Sequence, residues 1–226
     1  MILKFNYYTA TVAIAFFLIH FIYYFVYRFI KLHAYKDSNL KLKLTSIALA
    51  KEILFKQNCK RSLKFSNNYF LNWNQEKWKI LVLPKTNNSF NDPYYSFTVV
   101  SRAFLASKFT KTNTYLEYSA KWIWFIFNLN IIWTLVFNLW IISIILFVLN
   151  IALFAIVLFV NQKVINLVML STLEFLQWQV STQEDYETVN SVALFYRKEY
   201  LNVFLSSLLW PISSFGIWFK NLGKDE

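Results

Sequence analysis

The sequence has few of the residues from which enzymes usually build active sites. Among 226 residues there are two histidines, His20 and His33, one cysteine, Cys59, and two glycines, Gly216 and Gly223. Two glycines cannot supply any of the known glycine-rich loops that hold phosphate groups. One cysteine excludes an intrachain disulfide. Catalysis by its thiol would need a base beside it, and only His33 lies outside the apolar runs.

Charged residues are also scarce, and two long stretches have none. They make up 15% of the chain, against about 25% in ordinary soluble domains. Residues 5–27 and 122–162 contain no Asp, Glu, Lys or Arg. Apolar runs of roughly 18 residues or more are long enough to cross the hydrocarbon of a bilayer as helices. The sequence therefore predicts an integral membrane protein.

Four membrane-crossing helices are expected. The run at 122–162 would be about 60 Å long as one helix, twice the hydrocarbon thickness, so it is predicted to be a helical hairpin. Asn128, Asn130 or Asn138 is expected near its bend, and the sequence does not choose among them. The predicted organisation is a first transmembrane helix at 1–31, a basic inner-side segment at 32–121, the hairpin at 122–162, an acidic inner-side helical segment at 163–200, and a last transmembrane helix with a short tail at 201–226.

The segment at 32–121 is predicted to be a small α+β unit on the cytoplasmic or matrix side, because basic loops stay on that side. Thr45 is placed to cap a helix at about 46–57. Residues 69–83 are predicted to form a β-hairpin with a polar turn at 74–77. Asp92 and Pro93 indicate the start of a helix at about 93–108. The predicted fold class is thus a mainly α integral membrane protein with this unit between its first and second spans.

The lysines of the basic segment are mixed with Trp and Tyr, which allows two interpretations. In a nucleic-acid-binding protein, lysines would contact phosphates and aromatic rings would stack on bases. In a membrane protein, the same lysines would lie against anionic lipid head groups. We expect lipid head groups as the partner, with no nucleic acid and no small-molecule substrate.

His20 lies in the middle of the first apolar run. Polar groups at membrane depth are candidates for function. A proton relay would need a carboxylate partner, and no predicted span contains Asp or Glu. We expect His20 to be a hydrogen-bonded side chain inside a helix bundle.

The order of elements resembles a known family. A first span is followed by a helix at 44–54 (LTSIALAKEIL), a segment ending in KILVL at 79–83, another helix, two spans, and the motif LVMLSTLEF at 167–175. This order, covering nearly the whole chain with scattered identities, resembles the bacterial neutral zinc metallopeptidases, the YugP-like membrane proteins. In that family the helix before the two spans carries HExxH, whose histidines and glutamate form the zinc site.

The chain departs from the family at the zinc site. Where the resemblance places HExxH, the sequence has Val100, Ser101 and Phe104 at the ligand and glutamate positions. The third zinc ligand of the family would fall on Glu174, and Gln177 stands where the motif has a small residue. One carboxylate does not hold zinc. The resemblance therefore implies a pseudoenzyme with the fold of a membrane metallopeptidase, and no catalytic, metal-binding or cofactor-binding residue and no cofactor are expected.

Three functions remain open from the sequence. The leading expectation is a non-catalytic structural subunit of a larger membrane complex, such as an ATP-synthase-like or respiratory assembly, with other subunits as partners. The alternatives are a membrane peptidase with an unrecognised site, and a transport or channel component. Spans without charged residues offer no ion path of the usual kind, which disfavours the last.

Residue usage points to an AT-rich genome. Lysine outnumbers arginine 19 to 4, and 24 phenylalanines accompany only two glycines and three prolines. Nine tryptophans are unusual in such a chain unless UGA encodes Trp, as it does in mycoplasmas and many mitochondria. The expected location is a bacterial cytoplasmic membrane of mycoplasma type, with the mitochondrial inner membrane as the alternative.

Overall fold

The chain is mostly helical in the computed structural model, which describes residues 6–36, 40–59, 62–66, 80–84, 92–108, 111–201, 203–209 and 211–212. The elements are α1 (Tyr7–Phe21), a π-helical turn (Ile22–Tyr27, here the π-turn), α2 (Arg28–Lys36), α3 (Ser46–Lys56), β1 (Ser62–Ser66), β2 (Ile80–Pro84), α4 (Pro93–Lys108), α5 (Lys111–Val136), α6 (Trp140–Gln177), α7 (Gln183–Leu201) and α8 (Val203–Ser207).

Three helical segments in the described part of the chain are long and apolar enough to cross a membrane. They are Tyr7–Tyr35, Ser119–Val136 and Trp140–Gln177. The prediction of a membrane protein with transmembrane helices is confirmed at this level. Residues 202, 210 and 213–219 of the predicted fourth span, residues 201–219, lie outside the described residues, which there comprise α8 and its immediate neighbours.

α5 and α6 form a helical hairpin whose turn is at residues 137–139. Of the three candidate asparagines, Asn138 lies in this turn, with a φ of 59° that few residues other than glycine and asparagine adopt easily. α6 does not end at the predicted limit of 162. It continues to Gln177, about 57 Å in all, so the first part of the predicted inner segment is the same helix.

The two helices of the hairpin pack along polar as well as apolar side chains. Ser143, Asn150 and Val157, seven residues apart on α6, are buried. The Nδ2 group of Asn150 donates to Oδ1 of Asn128 on α5 at 2.7 Å. Seven-residue spacing keeps side chains on one face of a helix that packs against another. The Oγ atoms of Thr134 and Ser143 are 2.7 Å apart nearer the turn.

α4 is the centre of the unit formed by α3, α4, α7 and the last part of α6, which is called the inner-side unit because the sequence predicts that location for it. Twelve of its sixteen residues are buried, and it packs against α3, α6 and α7. A helix that is covered on all sides must lie inside a core. Both predicted helix starts are confirmed, since Thr45 Oγ1 accepts from the Ala48 N–H and Asp92 Oδ1 accepts from the Tyr95 N–H.

The described strands do not form the predicted β-hairpin. β2 coincides with the second predicted strand, but it pairs in parallel with β1, with Ser62 opposite Ile80. Parallel pairing needs a crossover of a dozen or more residues, and residues 67–79 are long enough to provide one. The predicted first strand, at about 69–73, and the turn at 74–77 lie outside the described residues.

The turn of the hairpin predicts a position-specific effect of a β-branched residue. Asn138→Val should lower the free energy of unfolding by about 1–2 kcal/mol, because a left-handed conformation crowds a β-branched side chain. Asn138→Gly should be tolerated. Thermal melting in detergent, followed by size-exclusion chromatography, measures the difference, and Asn130→Val inside α5 is the control. Equal melting temperatures for the two valine variants would contradict the assignment.

Candidate functional site

The positions that the resemblance assigns to zinc ligation lie in the core of the inner-side unit. Val100 and Ser101 are fully buried and Phe104 is nearly so, all on α4. Val100 and Phe104 belong to the main cluster of buried apolar residues. The Ser101 hydroxyl has no hydrogen-bond partner among the described residues. At these three positions the chain therefore has two buried apolar side chains and one buried hydroxyl.

Glu174 is placed differently from the α4 positions. It is exposed on α6, whereas the next residue, Phe175, contacts Phe104 edge to face with ring centroids 6.0 Å apart. Adjacent helical residues point about 100° apart, so turning Phe175 toward α4 turns Glu174 away from it. The side chain of Gln177 donates to Asn190 of α7 at 3.1 Å. The structure thus joins α4 and α6 through aromatic rings.

Within the described ranges, no group of three or more His, Cys, Asp or Glu side chains is placed to hold a metal ion. The Cys59 thiol lies 3.7 Å from the Ala106 carbonyl at the end of α4. His33 is exposed on α2, with its ring 6.1 Å from that of Phe29. The two residues that a thiol-based site would need are therefore on different elements.

His20 is buried in the membrane-spanning part of the first helix. Its Nδ1 group donates to the Phe16 carbonyl at 2.8 Å, and the two rings are 4.5 Å apart. This agrees with the expectation of a hydrogen-bonded side chain inside a helix bundle. It satisfies one ring nitrogen without a carboxylate.

The most distinctive polar cluster joins three elements at the inner end of the first span. Arg28, the first residue of α2, contacts Glu199 of α7, with Nε 2.5 Å from Oε1. The Tyr94 hydroxyl of α4 donates to the other oxygen of the same carboxylate. The Arg28 guanidinium also lies over the Tyr24 ring, 5.4 Å from its centroid. We call Arg28, Glu199 and Tyr94 the interface cluster.

Aromatic rings cover the interface cluster. The ring of Phe195, one turn before Glu199, lies 5.7 Å from the rings of Tyr35 and Tyr94 and 6.3 Å from that of Tyr27. Burial, and then the charge of the Glu199 carboxylate, raise the pKa of Tyr94 well above its usual range. The hydroxyl therefore stays protonated and acts as a hydrogen-bond donor. This arrangement joins the first helix, α4 and α7.

The sequence does not predict the interface cluster. It places Arg28 within the predicted first transmembrane helix at 1–31 and Glu199 within the predicted acidic segment at 163–200. One signal was available. Arg28 is one of four arginines in a lysine-rich chain, and the guanidinium is the cation best suited to a fixed pair with a carboxylate. The partner, 171 residues away, could not be chosen from spacing.

The chain matches no protein family model, no curated protein and no solved structure. The similarity to the zinc metallopeptidases therefore stays a prediction from the order of its motifs.

The interface cluster should show measurable coupling in a double-mutant cycle. Arg28→Gln and Glu199→Gln are each expected to lower the free energy of unfolding by about 2 kcal/mol, and the double variant by less than the sum, because each single change leaves a partly buried charge unpaired. Thermal and denaturant unfolding in detergent give the coupling energy.

The exposed pair of Lys56 and Glu52 on α3 is the matched control, for which coupling below about 0.5 kcal/mol is expected. Equal coupling in the two pairs would contradict the role of the interface cluster. Measurements below about pH 10 leave Tyr94 protonated. Because its folded-state pKa is raised, its contribution is complete there and is lost only as the pH rises further.

Proposed function

We propose that this chain is a non-catalytic structural subunit of a larger membrane assembly. The observation that carries the proposal is the filling of α4 positions 100, 101 and 104 by buried side chains. Hydrolysis needs an open position for water and substrate at the metal or nucleophile. A core helix packed on every side offers none, and packing is then the role left to this unit.

Exposed apolar side chains beyond the membrane also support the proposal. Trp178, at the end of α6, is 78% exposed, and Leu44 beside it is 50% exposed. Lys43 links the two places, since its Nζ group donates to the Trp178 carbonyl at 3.1 Å. Lys163 lies about 21 Å before the end of α6, so this tip extends well past the last charge-free turn. Lipid chains do not reach such a tip, whereas another subunit can cover it.

A fourth membrane crossing belongs to the same proposal. Asn128 lies about 10 Å inside the charge-free part of α5, counted from Lys121. Its Nδ2 group donates to the Ser207 hydroxyl of α8 at 2.9 Å. This contact supports α8 as the beginning of a last span that enters the bilayer beside α5. With four spans, the residues after the last span would lie on the same side of the membrane as the residues before the first span.

Anionic lipid head groups are the proposed lipid partner. Three exposed lysines lie where helices leave the predicted membrane region. They are Lys31 at the end of the first span, Lys163 beyond the hairpin, and Lys198 at the end of α7 that contacts the first helix. Lysines at this level attract anionic head groups and favour an inner location of the α4 unit. The assembly would be a complex of the ATP-synthase-like or respiratory kind in a mycoplasma-type cytoplasmic membrane, or its equivalent in a mitochondrial inner membrane.

Purification in a mild detergent tests the proposal. The chain should elute in a particle larger than its own mass, with further subunits at fixed stoichiometry and bound anionic phospholipid. Replacing Trp178 and Leu44 by Ser should release these subunits while the chain itself stays folded. The matched control is Phe159→Ser, an exposed change within the lipid-facing part of α6. A stable monomer without co-purifying subunits, or stoichiometric zinc with casein digestion, would contradict the proposal.

A further inference from the structure

Four side chains by which the first long helix, Tyr7–Tyr35, contacts the rest of the molecule have an irregular spacing, and we call them the stripe. Ala13 and His20 are buried within the membrane part. Arg28 contacts Glu199, and the Tyr35 hydroxyl contacts Ser191 on α7. The steps between the four are 20 − 13 = 7, 28 − 20 = 8 and 35 − 28 = 7 residues. A step of seven keeps a side chain on one face of a packed α-helix, and a step of eight does not.

The step of eight coincides with the π-turn. There the Arg28 N–H donates to the Tyr23 carbonyl, five residues back instead of four. A π-helical turn contains one more residue than an α-helical turn. The helix that follows the π-turn therefore keeps the rotational alignment with the preceding helix that one inserted residue would otherwise disturb. The extra residue and the wider turn compensate each other. The stripe therefore continues across the inner end of the span.

A straight α-helix would place other side chains at these contacts. With seven-residue steps the stripe would continue from His20 to Tyr27, and Arg28 would lie about 100° around the axis. That rotation would separate the guanidinium from the Glu199 carboxylate, which is 84% shielded in the observed arrangement. It would leave the largely buried Glu199 carboxylate without its cation, which is costly. It would also move Tyr35 away from Ser191.

We propose that the π-turn is a register element, which rotates the inner end of the first helix so that Arg28 and Tyr35 meet α7. The membrane part of this helix is positioned by its contacts with α5, and the part beyond the π-turn by its contacts with α7 and α4. One inserted residue reconciles the two sets of contacts. The proposal is independent of whether the chain is a structural subunit.

Cross-linking in membranes tests the register directly. In a Cys59→Ser background, Arg28→Cys and Glu199→Cys are joined by a short bis-maleimide, and the yield is measured on denaturing gels. Deletion of Val26, an exposed residue of the π-turn, should convert the turn to α-helix and keep the phase of position 28. We expect the yield to stay within about twofold of the undeleted chain, because both ends of the helix remain aligned.

The matched control inserts one alanine between Tyr27 and Arg28. This insertion lengthens the helix by one residue beyond the one that the π-turn already accommodates, so it rotates position 28 by about 100°. The cross-linking yield should therefore fall at least about fivefold. Loss of cross-linking in the Val26 deletion to the level of the insertion would overturn the proposal, and so would full cross-linking in the insertion.

A scan in the full-length chain keeps the test decisive if the deletion variant does not fold. In a scan of positions 27 to 29 paired with Glu199→Cys, the yield should be highest for Arg28→Cys and at least about fivefold lower for Phe29→Cys, which is 65% exposed. Tyr27→Cys should give an intermediate yield, because the Tyr27 ring already lies 6.3 Å from that of Phe195. A maximum at position 27 would show that the helix is straight and would overturn the proposal. Size-exclusion profiles of all variants confirm that folded protein is compared.

Discussion

Burial of α4 on every side is the constraint on which the rest of the structure depends. None of its twelve buried residues is charged, since Arg102 is only partly buried and Lys108 is exposed, so α3, α6 and α7 can close around it. α6 reaches it only because that helix continues past Lys163 to Gln177, and α7 then returns beside it to the membrane. The inner-side unit and the membrane hairpin are therefore parts of one packed structure, and the α4 positions to which the resemblance assigns zinc ligation belong to its core.

Side-chain hydrogen bonds hold the membrane part together where the hydrophobic effect gives no preference for protein over lipid. Asn128 contacts both Asn150 and Ser207 and so links α5, α6 and α8. Such bonds are worth roughly 0.6–2 kcal/mol each within a membrane. At the inner boundary the interface cluster takes over this role, since Arg28, Glu199 and Tyr94 come from three elements. The first helix is thus fixed to the α4 unit at the level where lipid gives way to water.

Local features of the fold could be predicted from the sequence, and contacts between distant residues could not. Charge-free runs indicated the spans, Thr45 and Asp92 marked helix starts, and the length of residues 122–162 required a turn. The end of the charge-free run at 162 is not the end of a helix, because α6 continues through the exposed Lys163 to Gln177. β2 pairs with a strand that lies 18 residues earlier in the chain, and no local pattern of residues identifies that partner. The π-turn likewise has no characteristic amino-acid composition from which it could be predicted.

Thiol labelling at the centre of α4 tests the central claim most directly. In a Cys59→Ser background, Ser101→Cys is compared with Lys108→Cys, an exposed position at the end of the same helix. The account predicts that a maleimide added to native membranes labels position 108 and leaves position 101 unlabelled until the protein is denatured. Equal labelling of both positions would reveal an open cleft beside position 101 and contradict the burial of α4.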